Sequence, residues 1–428
     1  MTACGRSFLS WASAFALSHF ILPPLLAQVP SSSGKHTSGS PPTAEVVHFW
    51  ISQSESKALD VYRRSWRDQG GVWYDEPAKD KPSELKALSE RMVKGYPPTA
   101  MQWHANEGSK ELPAMGVVQD IDDLATAEHW RDFLPKNVVD LISYNGKIYF
   151  APVNIHAENW LWTSTAIFDR LHLAQPTSWD DVFDSAAKIK AAGYIPIALG
   201  SQPWEISLVF NDIIFSVYGV DGYRRLMGAN GAYAAMEPAM LTALHIFRRL
   251  STYVAPSRTG KSWADAALDV GRGRAGMQFM GDYSKGELTN AGLVVDKDFR
   301  CQLAPGTESS YFIVIDAFAF PNTNNKSVRS SQLAFASMLM DNKNQLAFNS
   351  LKGSIPVRTD IQRVKLDRCG KIGMELISNR SKQMSAQSMI MPSQMSQGWI
   401  DIVAEYFNNP KISAVSTQRQ LAELLSQK

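Results

Sequence analysis

The sequence predicts an α/β fold in two lobes, and three observations predict it. The chain has 428 residues, enough for two domains or one large two-lobed unit with a real core. Between Val46 and His104 strand-like and helix-like patterns follow in the order β–α–(β)–α–β. That order gives a largely parallel sheet whose ligands gather beyond the strand ends. After Pro176 helix and strand alternate again, which supplies the second lobe.

Residues 1–28 read as a secretory signal. Arg6 gives a weak positive start, and Phe8–Leu26 is apolar but broken by His19 and Pro23-Pro24, too short and interrupted to span a bilayer. Cleavage is expected after Ala27. Cys4 precedes the apolar run, so a lipid anchor is not expected. Residues 29–44 are rich in Ser, Gly, Thr and Pro and read as a flexible linker. A formal net charge of +2 with 20% charged residues gives no reason to expect nucleic acid or a membrane surface as partner. With the signal removed, Cys301 and Cys369 remain. In an oxidising compartment a disulfide is favoured over two buried thiols, and would stabilise by roughly 3–4 kcal/mol in the chain-entropy model.

In the first lobe, Val46–Trp50 is a short β-like run. Ser54 is a candidate N-cap for a helix carrying Leu59, Tyr62 and Trp66 to Gly70-Gly71. A second helix should start at Ser83 and stop at Gly95. Strand-like Thr99–Trp103 then delivers Gln102 and His104 at its carboxyl end. Asn145-Gly146 marks a hairpin between the apolar run Val138–Tyr144 and Lys147–Phe150, and Pro152 should take the backbone out of it.

The stretch Ala151–Trp162 follows. Within a few residues it offers Asn154, His156, Asn159, Trp160 and Trp162. Sugar hydroxyls require such donors and acceptors, and the C–H faces of a pyranose require flat apolar cover. The same residues would also suit a buried strand that satisfies local backbone. In the second lobe, strands are expected at Tyr194–Leu199 and Met277–Met280, with helices at Met240–Val254 and Trp263–Gly271, and Tyr311–Phe320 is a further strand.

Three other chemistries are weaker. Ala255–Ser262 fits a loose phosphate-loop pattern, but a helical segment leads in and Pro256 removes an N–H. His48, His104 and His156 come from separate strands without metal-ligand spacing. Asp282 and Asp316 are carboxylates of the type a glycosidase needs, and no spacing fixes their separation.

Several pieces resemble the periplasmic sugar-binding proteins of ABC importers, in the glucose-binding branch of the family-1 solute-binding proteins. They are Met101-Gln-Trp-His104, Pro152-Val-Asn-Ile-His156, Gln202-Pro-Trp204, Met280-Gly-Asp-Tyr283, Pro305-Gly-Thr307 and Leu351-Lys-Gly-Ser-Ile-Pro356, in the family's order from about Glu45 to about Pro392. The resemblance implies a two-lobed periplasmic-binding-protein fold of type II, two α/β domains joined by hinge strands with the ligand cleft between them. It divides the chain into lobe one (45–153), lobe two (154–304), a return to lobe one (305–358) and C-terminal helices mainly on lobe two (359–428).

The implied ligand-binding residues are Phe49, Trp50, Gln102, His104, Asn154, His156, Trp204, Trp263, Tyr283, Asp316, Lys352 and Gln387. Tyr283 and Gln387 stand where the family has an indole and a histidine. Ala157 replaces an arginine, and Trp73–Glu76 a glycine-rich loop. The resemblance further implies a monomeric periplasmic receptor that needs no cofactor or metal, breaks no bond, and hands a glucose-like monosaccharide to the membrane subunits of an ABC importer. An exported carbohydrate-active hydrolase and a zinc-capturing receptor are the alternatives.

Overall fold

A computed structural model describes residues 41–78, 81–106, 108–361 and 366–427. The signal expected at 1–28 and most of the linker expected at 29–44 lie outside the described residues.

Strand β1 (Thr43–His48) begins inside the segment expected to be linker, because Ala44, Val46 and Val47 are all buried. It pairs in parallel with β2 (Val72–Pro77) on one side and β3 (Ala100–His104) on the other. Helix Gln53–Asp68 connects β1 to β2, burying Leu59, Tyr62 and Trp66. Its N-cap is Ser52 and not the expected Ser54. Ser52 Oγ accepts the Glu55 N–H at 3.3 Å and Glu55 returns a carboxylate to the Ser52 N–H at 3.2 Å, a capping box. Ser54 instead donates its hydroxyl to Glu287, 2.6 Å away. Helix Lys81–Val93 leads to β3.

The apolar run expected before the hairpin is helical from Lys136 to Ile142. The hairpin itself is short, β4 (Ser143–Tyr144) against β5 (Lys147–Ile148). Asn145 and Gly146 between them have φ of 48° and 80°, the left-handed pair that such a turn requires. The chain leaves the hairpin after Ile148, ahead of Pro152, which lies within strand β6 (Phe150–Ala157). A bulge accommodates the proline: Pro152 faces Ala317 and Asn154 faces Asp316, so Val153 has no opposite number.

The second sheet has the order β10–β7–β9–β8, built from β7 (Trp160–Ser164), β8 (Ile195–Ile197), β9 (Ala275–Phe279) and β10 (Phe299–Leu303). Strand β11 (Tyr311–Ala319) returns to the first sheet, antiparallel to β6 and β3, and β12 (Gln383–Ser385) runs parallel to its start. Every residue of β6 and β11 is buried, so both strands are covered on both faces.

The chain therefore passes between the sheets at Glu158–Asn159 and at Ala304–Ser310. Asn159 ties the two crossings together. Its Nδ2 donates to Ser310 O (2.9 Å) and Thr307 Oγ1 (3.0 Å), and its Oδ1 accepts the Phe312 N–H (3.0 Å).

Helices Ser393–Asn408 and Ala414–Leu425 pack on helices Pro203–Leu226, Gly231–Ala235 and Pro238–Ser251, around Phe210, Phe247 and Trp399. A disulfide joins Cys301 on β10 to Cys369 on helix Arg368–Ser378, with Cα atoms 6.1 Å apart. Among the described residues no helix is long and apolar enough to cross a membrane.

Candidate functional site

The candidate site forms where β3, β6 and β11 of the first sheet meet the turn that follows β9 of the second. Register puts the polar groups together: Asp316 on β11 pairs with His104 on one side and Asn154 on the other. Asp316 is 2% exposed. It receives His104 Nε2 at 3.2 Å, His156 Nε2 at 2.9 Å and Asn154 Nδ2 at 2.9 Å. The second imidazole nitrogen of His156 lies 2.6 Å from Asp282 Oδ1, and the other oxygen of Asp282 accepts the Ala157 N–H at 3.1 Å. One imidazole therefore bridges two buried carboxylates.

Charge follows from those partners. Burial pushes the His156 imidazole down, but the charges and hydrogen bonds of Asp282 and Asp316 outweigh it and raise it to about 9. Burial pushes Asp316 up, and His156 with His104 reverses this, holding its carboxyl well below the usual range. At neutral pH His156 is therefore an imidazolium and Asp316 a carboxylate.

Around the trio stand the rings and the lysine. Tyr283 meets the His156 ring edge-on at 5.4 Å and the Trp263 ring edge-on at 4.9 Å. Lys352 Nζ lies 5.6 Å from the ring centres of both Trp50 and Tyr283 and donates to Glu55 Oε1 at 2.7 Å. Phe49 touches the His104 ring edge-on at 5.7 Å. Trp50, His104, Trp263, Asp316 and Lys352 are thus joined in one connected group through Tyr283 and His156. Gln102 sits two residues before His104 on β3, accepts the Phe49 N–H at 3.1 Å, and keeps a buried Nε2 without a partner.

Other expected residues have different surroundings. Trp50 is 2% exposed and packs on Phe318 and Phe348, so its ring belongs to the core, with Lys352 above it. Both nitrogens of His156 are taken by carboxylates. Asn154 is likewise occupied, since its Oδ1 accepts the Asp316 N–H. Trp204 packs at the edge of the same apolar cluster and gives its indole N–H to Gln202 at 2.9 Å. Gln387 is bonded to Met391 Sδ and Ser396 Oγ, and among the described residues no hydrogen bond connects it to the Asp316 group.

The sequence reading missed Glu55 and Glu287. The Ser-x-x-Glu spacing at Ser52–Glu55 was the one signal that could have found the first. Glu287 accepts both the N–H and the hydroxyl of Ser54, a contact between the helix after β9 and the helix after β1 that no local pattern announces.

Among the described residues the alternative chemistries have no matching geometry. Asp282 and Asp316 do not face each other across an opening, because His156 fills the space between them. His48 pairs with Asp75 at 3.4 Å, apart from the other two histidines. The phosphate-loop match contains a single 3₁₀ turn, Pro256–Arg258, and Ser262 is simply the N-cap of helix Trp263–Gly271.

The sequence pattern of the bacterial extracellular solute-binding protein family matches residues 83–327. The chain belongs to this family. Among relatives of this solute-binding protein, a probable sugar-binding periplasmic protein of Brucella suis biovar 1 (strain 1330) is 32% identical over 371 residues, covering 85% of this chain and 87% of the relative. A chitin oligosaccharide binding protein of known structure superposes with a TM-score of 0.78 at 16% identity, covering 91% and 99% of the two chains. The bacterial solute receptor AcbH, described as preferring b-D-galactopyranose exclusively, superposes with a TM-score of 0.75 at 15% identity, covering 89% and 97%. These likenesses carry the fold: the two-lobed α/β solute-binding architecture expected from the sequence is the one present.

Proposed function

We propose that this solute-binding protein is an extracytoplasmic sugar receptor that captures a glucose-like monosaccharide and delivers it to an ABC-type importer. The observation that carries the reading is the Asp316 group itself. A fixed carboxylate, a lysine, an imidazole and the spare N–H of Gln102 stand beside the rings of Trp263, Tyr283 and Phe49. Hydroxyls take the charged and amide groups, while ring C–H faces take the aromatics. Glu55 joins this set through Lys352. The sugar-binding relatives support the class, and their range from a single pyranose to chitin oligosaccharides makes ligand size the first quantity to measure.

Ligand drawn against both halves favours the closed state, which the importer then recognises. The crossings at Glu158–Asn159 and Ala304–Ser310 are the natural hinge, because they carry the chain between the sheets. Micromolar affinity needs about −8 kcal/mol net. The protein acts as an exported monomer, without lipid anchor or cofactor, and breaks no bond.

The test is a titration of purified protein with D-glucose, D-galactose, D-xylose, maltose and chitobiose, followed by calorimetry and tryptophan fluorescence. One of the monosaccharides should bind at one per chain and be recovered unchanged. Silence across all five sugars would overturn the receptor reading, and turnover would restore the hydrolase.

A further inference from the structure

We propose that His156 is a positioning residue: a buried imidazole that clamps Asp316 of the first sheet and Asp282, in the turn after β9 of the second, into one fixed unit, and never touches the ligand. What the unit is used for rests on the sugar-site reading above, but the clamp itself stands on geometry.

Both ring nitrogens of His156 are engaged, Nδ1 at 2.6 Å from Asp282 and Nε2 at 2.9 Å from Asp316. No nitrogen is left to meet a hydroxyl. The residue is 4% exposed, so it cannot reach outward without breaking a buried ion pair. The two carboxylates come from different sheets, Asp316 from β11 and Asp282 from the turn after β9. His156 lies on β6, one residue before the chain leaves the first sheet. Asn154, on the same face of β6, adds a second hold on Asp316.

The clamp matters because a carboxylate accepts hydroxyls best when ionised and fixed. Without a counter-charge, burial would favour neutral Asp316. The charged and titratable groups around the imidazole are Asp282, Asp316, Glu158, Tyr283 and Tyr311, with His104, Lys352 and Tyr62 one contact further out. Among them only His104 and Lys352 are basic. His104 is partly exposed and Lys352 is paired with Glu55, so neither replaces a cation locked between the two aspartates.

The experiment uses the full chain without sugar. Ring nitrogen and carbon resonances of the histidines are followed by NMR from pH 5 to 10.5, with His156→Gln assigning the signal. The ring of His156 should stay protonated through pH 8 and titrate near 9, and Asp316→Asn should move that titration down by at least one pH unit. A neutral His156 ring at pH 7.5, or one whose titration ignores Asp316→Asn, would overturn the clamp.

Calorimetry at pH 7.5 with D-glucose, D-galactose and D-xylose supplies the second arm. His156→Gln should weaken the sugar bound by wild type about tenfold or more, and unchanged affinity would also overturn the proposal. Where none of the three binds wild type, maltose and chitobiose are titrated in the same way; silence across all five removes the receptor reading instead, and the ring titration still decides His156.

Discussion

Asp316 and Asp212 lie in different regions of the molecule, one on strand β11 inside the first sheet and the other on helix Pro203–Leu226. Both are almost completely buried, at 2% and 1% exposed. Asp316 has three side-chain donors, two of them imidazoles, and is held ionised. Asp212 has a buried oxygen without a partner, and its neighbour Asn211 has another. Burial first, and then the charge of Glu158, drive the Asp212 carboxyl well above its usual range. Burial thus sets the cost of charge, while the donors supplied by the fold decide whether the charge persists. A region built to hold a charge is poised for a polar ligand. A region that merely tolerates an acid is not.

The sharpest way to break this contrast is Asp316→Ala. It leaves a buried imidazolium with one partner, and breaking a buried pair from one side costs about 3–5 kcal/mol. Urea unfolding without sugar should register that loss. Sugar affinity by calorimetry should fall about 100-fold or more, since a charge-assisted acceptor disappears along with its fixed neighbours. Unfolding within about 1 kcal/mol of wild type would mean that the donors around Asp316 carry none of the weight assigned to them.

The next largest effect is the pH dependence of the sugar-free protein. His156 is raised to about 9, and burial raises Glu205 to about 8 and Glu158 to about 7. Each folded pKa lies above the unfolded one, so each contributes stability that is full below the unfolded value and lost as pH rises through the folded value. Asp316 runs the other way: its contribution is present above the ordinary carboxylate range and lost as pH falls through its depressed value. Thermal midpoints should therefore decline from pH 6 to pH 9.5 and decline again in strong acid. His156→Gln should flatten the segment between pH 8 and 9.5. A midpoint that climbs steadily from pH 6 to 9.5 would contradict the buried charge states.

Asp212→Asn should do much less. Burial drives the carboxyl towards its neutral form, and the amide has a similar shape and carries no charge. The change in unfolding free energy should stay within about 1 kcal/mol, with sugar affinity unchanged. A loss as large as that of Asp316→Ala would show that Asp212 is ionised and paired, and the contrast between the regions would dissolve.

Much of the frame was legible in the sequence because it rests on local pattern. Leu59, Tyr62 and Trp66 repeat at helical spacing and are buried together. Asn145-Gly146 makes the turn its residue types require, and Trp263–Gly271 is helical over the residues expected. What escaped depends on distant partners. Ser52 rather than Ser54 caps the first helix because Glu287, far along the chain, claims the Ser54 hydroxyl. Pro152 stays in its strand because β6 bulges at Val153 where it pairs with β11. In the candidate site, residue types near Asn154–His156 pointed to hydrogen bonding, but not to the two carboxylates that saturate one ring. Glu55 was hidden by its capping role: the cap accounts for a glutamate at that position, and the lysine that also claims it lies 297 residues further along the chain.

The smallest prediction concerns a third aspartate, which separates exposure from both buried cases. Asp120 pairs with Lys147 at 3.2 Å, with side chains 29% and 57% exposed. Water already solvates both charges, so the pair gains little from contact, and such surface pairs are worth about 0–1 kcal/mol. Asp120→Ala should shift urea unfolding by less than about 1 kcal/mol and leave sugar affinity untouched, and 1 M salt should erase part of even that shift by screening. If Asp120→Ala instead matched Asp316→Ala in either measurement, the effect could not come from desolvated donors around Asp316. Removing any aspartate would then act through net charge, which the same salt series would expose.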